Sequence, residues 1–128
     1  SEFVADFIGT MNRVSGVTRV GHLQLPAGVV PLTAVQPGRE ATAMFRPEDV
    51  EIVPADAPGA ELFGNIMSTF FMGDRTRLLV DIGADMPVIV ETRRRGVWHA
   101  GERIGLRVPE HAVMQLPSDR SQTQEVRA

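Results

Sequence analysis

The 128-residue chain contains no cysteine, no lysine and no tyrosine, and all 13 of its basic residues are arginine. The absence of cysteine excludes disulfides and thiolate metal sites. The absence of lysine excludes the phosphate-binding lysine of a P-loop, and with it ATP binding through a Walker motif of this chain. Catalysis through a lysine, cysteine or tyrosine side chain is excluded for the same reason.

A surplus of positive charge and a long apolar run are also lacking. The net charge of −3 argues against a general binder of polyanions, which usually carries a basic surplus. The longest stretch without formal charge, 20–38, contains three prolines, so we expect no membrane-spanning helix. The N-terminus lacks the basic start and the cleavage site of a signal peptide. These features predict a cytoplasmic protein.

The dominant pattern in the chain is a short apolar alternation with period two, interrupted by glycine and proline. Such punctuation every eight to twelve residues is typical of an all-β barrel or sandwich. Phe3, Phe7 and Ile8 instead follow a helical spacing and predict a short N-terminal helix. The polar tail 118–128 is expected to fray. Strands are predicted at 17–25, 29–32, 40–45, 61–73, 76–83, 87–93, 102–108 and 112–116.

One phrase occurs twice in the chain. "FRPEDVEIVP" (45–54) and "VPEHAVMQLP" (108–117) both place Pro-Glu before an apolar segment that ends in proline. Because proline cannot donate to a sheet ladder, the phrase is interpreted as the end of a strand and the start of a short exit segment. Aligning the copies gives repeats of about 17–54 and 75–117, too few for a solenoid. We therefore predict OB-like barrels built from two tandem strand repeats, either paired or merged into one.

Candidate metal and acid–base sites are weak. His22, His99 and His111 are far apart in the sequence and show no ligand spacing, so no metal site is expected. Glu48 and Asp49 are adjacent, and adjacent residues on an extended segment point in opposite directions. A surface ion-pairing role is therefore favoured over acid–base catalysis for this pair.

Four stretches in the same order carry a resemblance to a known family: "FVADFIGTMN" (3–12), "FRPEDV" (45–50), "GNI…FFMGDRTRLLVDIG" (64–83) and "AGERIGLRVPEHAVMQL" (100–116). Together they resemble the C-terminal transport-associated OB domain of ATP-binding subunits of ABC importers, in the maltose, polyamine and ferric-iron branch. Many members carry tryptophan before the second Pro-Glu, where this chain has Val108. That departure leaves the branch unassigned.

The resemblance implies a division of the chain and a function. Residues 1–13 would be the end of the nucleotide-binding domain with its linking helix, and 14–117 the OB-like regulatory domain. The fragment would have no catalytic activity, because ATP and magnesium would bind in the nucleotide-binding domain. The implied partners are a second copy of the chain, the ATPase domain, the membrane subunits and a regulatory protein, but no nucleic acid. The implied location is the inner face of the cell membrane, reached through the transporter complex.

The candidate interface or regulatory residues fall in three places. Met67 and Met72 lie on either side of Phe70 and Phe71, and these four large apolar side chains are more than one face of a small strand can bury. Some of these side chains must point outward, so we expect a homodimer contact at 66–75. The Pro-Glu corners are the other two places. The candidate residues are Arg46, Glu48, Asp49, Phe70, Phe71, Gly73, Asp74, Arg75, Glu110 and His111.

Two binding functions remain as alternatives. The stretch 91–101 places Arg93–Arg95 near Trp98, the combination of charge and stacking that a single-strand nucleic-acid binder uses. A small oxyanion could instead bind the loops 71–76 and 93–96, which both contain glycine and arginine. The plainer interpretation is a solvated hairpin tip, whose arginines pair with acidic neighbours or a partner subunit.

Overall fold

A computed structural model describes residues 11–33 and 36–116. Within them the fold is all-β, as predicted, and its only helical turns are two one-turn 3-10 helices. None of the helices in these two ranges is long and apolar enough to cross a membrane. The elements in chain order are β1 (Asn12–Arg19), β2 (His22–Leu25), β3 (Gly28–Pro31), β4 (Glu40–Phe45), η1 (Pro47–Asp49), β5 (Glu51–Val53), β6 (Leu62–Phe71), β7 (Thr76–Asp81), β8 (Val88–Thr92), β9 (Arg103–Arg107), η2 (Glu110–Ala112) and β10 (Met114–Leu116).

The ten strands form one curled antiparallel sheet. Eight of them follow the order β10-β4-β1-β2-β3-β6-β7-β8, while β9 pairs with β6 and β5 pairs with β9. The short strand after each Pro-Glu phrase thus pairs with the other half of the chain, β5 with β9 and β10 with β4. This arrangement is an OB-like half-barrel. The tandem repeat itself stays a prediction from the sequence.

The core is a single cluster of buried aliphatic side chains with one large aromatic residue, Phe45. It exists because the strands alternate: β4 buries every second residue, and so does the first half of β6. Burying one large apolar side chain fully contributes about 1.5–3 kcal/mol to the stability of the fold. The largest fully buried residues are Phe45, Leu23, Leu62, Ile66, Leu78 and Leu106.

Asn12 links β8, which is the last strand in this order, to β1 inside the sheet. Its side chain is 3% exposed, donates from Nδ2 to the carbonyl of Ile89 at 2.8 Å and accepts from the Ile89 amide at 2.7 Å. The side-chain amide of Asn12 therefore makes both hydrogen bonds to Ile89 that a residue of a neighbouring strand would make, and it ties β8 to β1.

The structure corrects several predicted boundaries. The predicted strand 17–25 is two strands, because Val20 and Gly21 form a two-residue turn in which Gly21 has φ 83°. β1 begins at Asn12, and the division into 1–13 and 14–117 stays a prediction. Each Pro-Glu phrase forms a 3-10 turn, so its carboxylates do not lie on extended chain as assumed. The predicted helix at 3–8 and the tail 118–128 lie outside the described residues.

Candidate functional site

The β6–β7 hairpin extends past the core. Leu62, Gly64 and Ile66 are buried in the first half of β6, and from Met67 onward the strand has no buried residue. A register shift between Ile66 and Ser68 breaks the alternation at this point. The outer half of the hairpin is consequently held by its pairing with β7 and not by burial.

Four apolar side chains are exposed on this outer half. Met67 is 50% exposed, Phe70 49%, Phe71 79% and Met72 47%, and together we call them the hairpin patch. Some of these side chains were expected to point outward, and both Phe70 and Phe71 do so. Gly73 follows in the turn with φ 92°, a conformation that favours glycine, and the turn is closed by the Met72 amide donating to the Arg75 carbonyl at 2.8 Å.

Behind the turn, Glu91 of β8 is clamped by two arginines. Arg77 lies directly opposite Glu91 across the β7–β8 ladder and donates from Nε at 2.9 Å, with a second contact from Nη2. Arg75 donates from Nη1 at 3.2 Å. The hydrogen bonds from Arg77 and then Arg75 hold the pKa of Glu91 below its usual value, and its side chain is only 10% exposed.

The same cluster reaches Asp74 in the turn. Arg75 donates from Nε to Asp74 at 3.3 Å, which lowers the pKa of the carboxyl and raises that of the guanidinium. Arg93 lies 3.9 Å from the other Asp74 oxygen. The two loops named as an oxyanion candidate, 71–76 and 93–96, therefore meet through the Asp74–Arg93 contact.

An open cleft of about 760 Å³ lies between β5, η1 and the C-terminal end of β8. We call it the arginine cleft. The wall formed by the β7–β8 side carries Arg75, Arg93 and Arg94 together with Glu91, and the wall formed by η1 and β5 carries Glu48 and Glu51. Glu51 is also 3.4 Å from Arg107, which is its direct cross-strand neighbour on β9. The cleft is thus lined by charges of both signs.

Arg94 makes two contacts of another kind. Its Nη1 donates to the carbonyl of Ile52 at 3.1 Å, and its guanidinium lies over the ring of Trp98, 5.7 Å from the centroid. Trp98 packs against the core, and an added Cβ at Gly96 would lie 2.9 Å from two ring atoms. The loop is therefore closed tightly around the tryptophan. With one face under Arg94 and the ring half-buried, Trp98 is poorly placed to stack on a base.

The structure brings together only some of the predicted site residues. Glu48 and Arg75 share the arginine cleft, and Asp74 joins it through Arg93. Arg46 is exposed beside η1, where Asp49 is half-buried. Glu110 and His111 begin η2 and do not line the cleft.

Sequence reasoning missed Glu91, Arg77, Glu51 and Asn12. The pairing of Glu91 with Arg77 could have been suspected, because opposite charges on neighbouring strands of a predicted hairpin tend to face each other. Within 11–33 and 36–116, no group of three or more histidine, aspartate or glutamate residues is arranged to hold a metal ion.

Comparison with known proteins places the chain in a family. The model of the TOBE domain matches residues 43–116, more than half of the sequence. The chain therefore belongs to the TOBE domain family, which confirms the predicted transport-associated OB domain. A search of curated proteins finds no match.

A solved structure agrees with the fold. The chain is similar to the cytoplasmic molybdate-binding protein ModG, crystallised with molybdate bound, at a TM-score of 0.67 and 10% identity. The alignment covers 83% of this chain and 96% of that one. The shared feature is the OB-like β architecture.

Proposed function

We propose that the chain is the C-terminal regulatory and dimerisation domain of the ATP-binding subunit of an ABC-type solute importer. Membership of the TOBE family and the four stretches that resemble such subunits support this assignment. ATP and magnesium would bind in the nucleotide-binding domain, and this domain would act without catalysis at the cytoplasmic face of the membrane. Its partners would be a second copy, its own ATPase domain, the membrane subunits and a regulatory protein.

The hairpin patch is the observation that carries this proposal. Four large apolar side chains are exposed within residues 67–72 of a hairpin that the core does not cover, and those of adjacent Phe70 and Phe71 lie on opposite sides of the strand. Clustered apolar residues at a surface usually mark an interaction site. An importer with two ATPase subunits needs a contact across a two-fold axis, and such a contact uses the same surface on both copies.

The patch is small, so the isolated domain should associate weakly. Burying a phenylalanine fully contributes about 1.5–3 kcal/mol, whereas association costs on the order of 4–15 kcal/mol in lost freedom of motion. In the complete subunit, the ATPase domains would hold two copies near each other and raise their effective concentration. We therefore expect a dimer that dissociates at micromolar dilution when the domain is alone.

Sedimentation velocity over a concentration series tests this proposal. The wild-type chain should shift from monomer to dimer between micromolar and hundreds of micromolar, and Phe71→Ser should remove the shift without unfolding the domain. Val20→Ser is the matched control, because Val20 is 84% exposed but lies in the β1–β2 turn. A strict monomer at hundreds of micromolar would overturn the proposal, and so would equal effects of the two variants.

Binding of a small oxyanion is a second candidate function. It is favoured by the meeting of loops 71–76 and 93–96 at the arginine cleft, and by the fold shared with a molybdate-binding protein. Arg94 is the residue that would hold the anion, because it lines the cleft and its guanidinium is held by the Ile52 carbonyl and the Trp98 ring. Isothermal titration with molybdate and sulfate should show binding that Arg94→Gln weakens at least fivefold. Equal affinity of wild type and variant would refute this candidate.

A further inference from the structure

We infer that the arginine cleft takes a small ligand carrying an anionic group at one end and an ammonium group at the other. The inference rests on the second candidate function, since Arg94 would hold the anionic end, and it adds a cationic end recognised by the opposite wall. The carrying observation is that each wall retains one charge without a partner in the described part of the chain.

On the basic wall, that charge is Arg94. Its hydrogen bond to the Ile52 carbonyl and its position over Trp98 fix the guanidinium, and neither contact neutralises it. Within 11–33 and 36–116, Arg94 has no carboxylate within ion-pair distance. A guanidinium has five N–H donors, so most of them remain for a ligand.

The other basic groups around the cleft are already balanced. Arg75 contacts both Asp74 and Glu91, and Arg77 shares the Glu91 carboxylate. Arg93 has Asp74 at 3.9 Å. A ligand anion at these arginines would have to displace a carboxylate, so Arg94 is the favoured contact.

On the acidic wall, the charge without a partner is Glu48. It is the exposed residue of η1 and follows Pro47, whose burial anchors the turn. No arginine or histidine of the described ranges lies within ion-pair distance of Glu48, whereas its neighbour Glu51 has Arg107 at 3.4 Å. Glu48 is therefore the group that can accept a ligand ammonium.

These two charges select the ligand class. A bare anion near Arg94 would also feel the repulsion of Glu48, and a bare cation near Glu48 would feel that of Arg94. A molecule with both groups satisfies both walls. The volume of about 760 Å³ lies within the range of small-ligand sites. Amino acids and phosphorylated amines have this chemistry. Arg94 would recognise the negatively charged group of either, a carboxylate or a phosphate.

The experiment compares ligands that differ only in the amine. Isothermal titration at low salt would pair 4-aminobutyrate with butyrate and phosphoethanolamine with ethyl phosphate. We expect each aminated ligand to bind at least threefold more tightly than its partner. A series of aminoalkyl carboxylates from glycine to 6-aminohexanoate would show which chain length spans the two walls.

Three variants assign the effect to the two walls. Glu48→Gln should abolish the advantage of the amine and leave the affinity for butyrate unchanged or stronger. Arg94→Gln should weaken both members of each pair. Glu110→Gln is the matched control. Glu110 follows Pro109 as Glu48 follows Pro47, but it does not line the cleft.

Three different results would count against the inference. If the anions bind and Arg94→Gln weakens them, but the amine adds nothing, the cationic end is refuted and the oxyanion candidate stands. If neither member of any pair binds, the inference fails, and the titration with molybdate and sulfate then decides the second candidate function separately. An amine advantage that survives Glu48→Gln would also refute the assignment of the acidic wall.

Discussion

Replacing Asn12 by alanine should destabilise the whole domain, because Asn12 substitutes for a missing strand. β8 has β7 on one side, and on the other side the Asn12 amide binds both backbone groups of Ile89, at 2.7 and 2.8 Å. The variant would leave that N–H and that carbonyl without protein partners beside β1. β8 also supplies Glu91 and leads into the loop of Arg94, so the same change should loosen the arginine cleft.

The expected cost follows from the two lost bonds. A buried polar group left without a partner costs about 1–3 kcal/mol. Two such groups give a loss of about 2–6 kcal/mol, a large part of the roughly 5–15 kcal/mol typical of a whole domain. Asn12→Asp should also destabilise at neutral pH, because the carboxylate cannot donate to the Ile89 carbonyl and would be a buried charge.

Urea unfolding of Asn12→Ala measures this loss, with hydrogen exchange of the Ile89 amide as a local readout. Ser15→Ala is the control, since the Ser15 hydroxyl makes an exposed 2.8 Å hydrogen bond to Thr42. The control should cost about 0.5–1 kcal/mol. If Asn12→Ala costs no more than the control, or if the Ile89 amide stays equally protected, the strand-substituting role of Asn12 is wrong.

Two further predictions concern charge and close packing. Glu91→Gln should lower the free energy of unfolding at pH 7 by about 2 kcal/mol. Since the pKa of Glu91 is lowered in the folded state, its contribution to stability is fully present above about pH 4.3 and disappears as the pH falls through the folded pKa. Melting temperatures from thermal scans at pH 7 and pH 3 should therefore differ less in the variant than in the wild type. Gly64→Ala should cost about 1–3 kcal/mol in urea unfolding, because the added Cβ would lie 2.6 Å from the Asp81 carbonyl oxygen; Gly59→Ala, with its nearest contact at 3.5 Å, is the control.

The strands were predictable where local chemistry marks both ends. The strand 40–45 was predicted with its observed bounds, because it alternates cleanly between the Gly38 turn and Pro47. The segment 17–25 was predicted as one strand because Val17, Leu23 and Leu25 fall at alternate positions of a single strand, and because Val20–Gly21 lacks the usual Asn-Gly turn signal. The turn switches the inward positions from even to odd, since Thr18 is buried before it and Leu23 and Leu25 are buried after it, and a buried threonine does not stand out in an apolar pattern.

The site was predictable only where it is local. Four large apolar residues within 67–72 had to leave some side chains exposed, and the structure has them so. The arginine cleft, by contrast, depends on β5 meeting the end of β8. Arg94 and Ile52 are 42 residues apart in the sequence, and no pattern within either segment announces their contact.

Site-directed crosslinking tests the central claim, that two copies meet through the hairpin patch. The natural chain has no cysteine, so a single Met67→Cys or Met72→Cys substitution gives one reactive thiol. With a short bismaleimide at concentrations where the wild type is dimeric, at least one of these variants should form covalent dimers, and dilution to monomer should abolish the product. Val20→Cys, an exposed thiol in another turn, should give only the collisional background. Crosslinking of both patch variants no faster than Val20→Cys would contradict the claim.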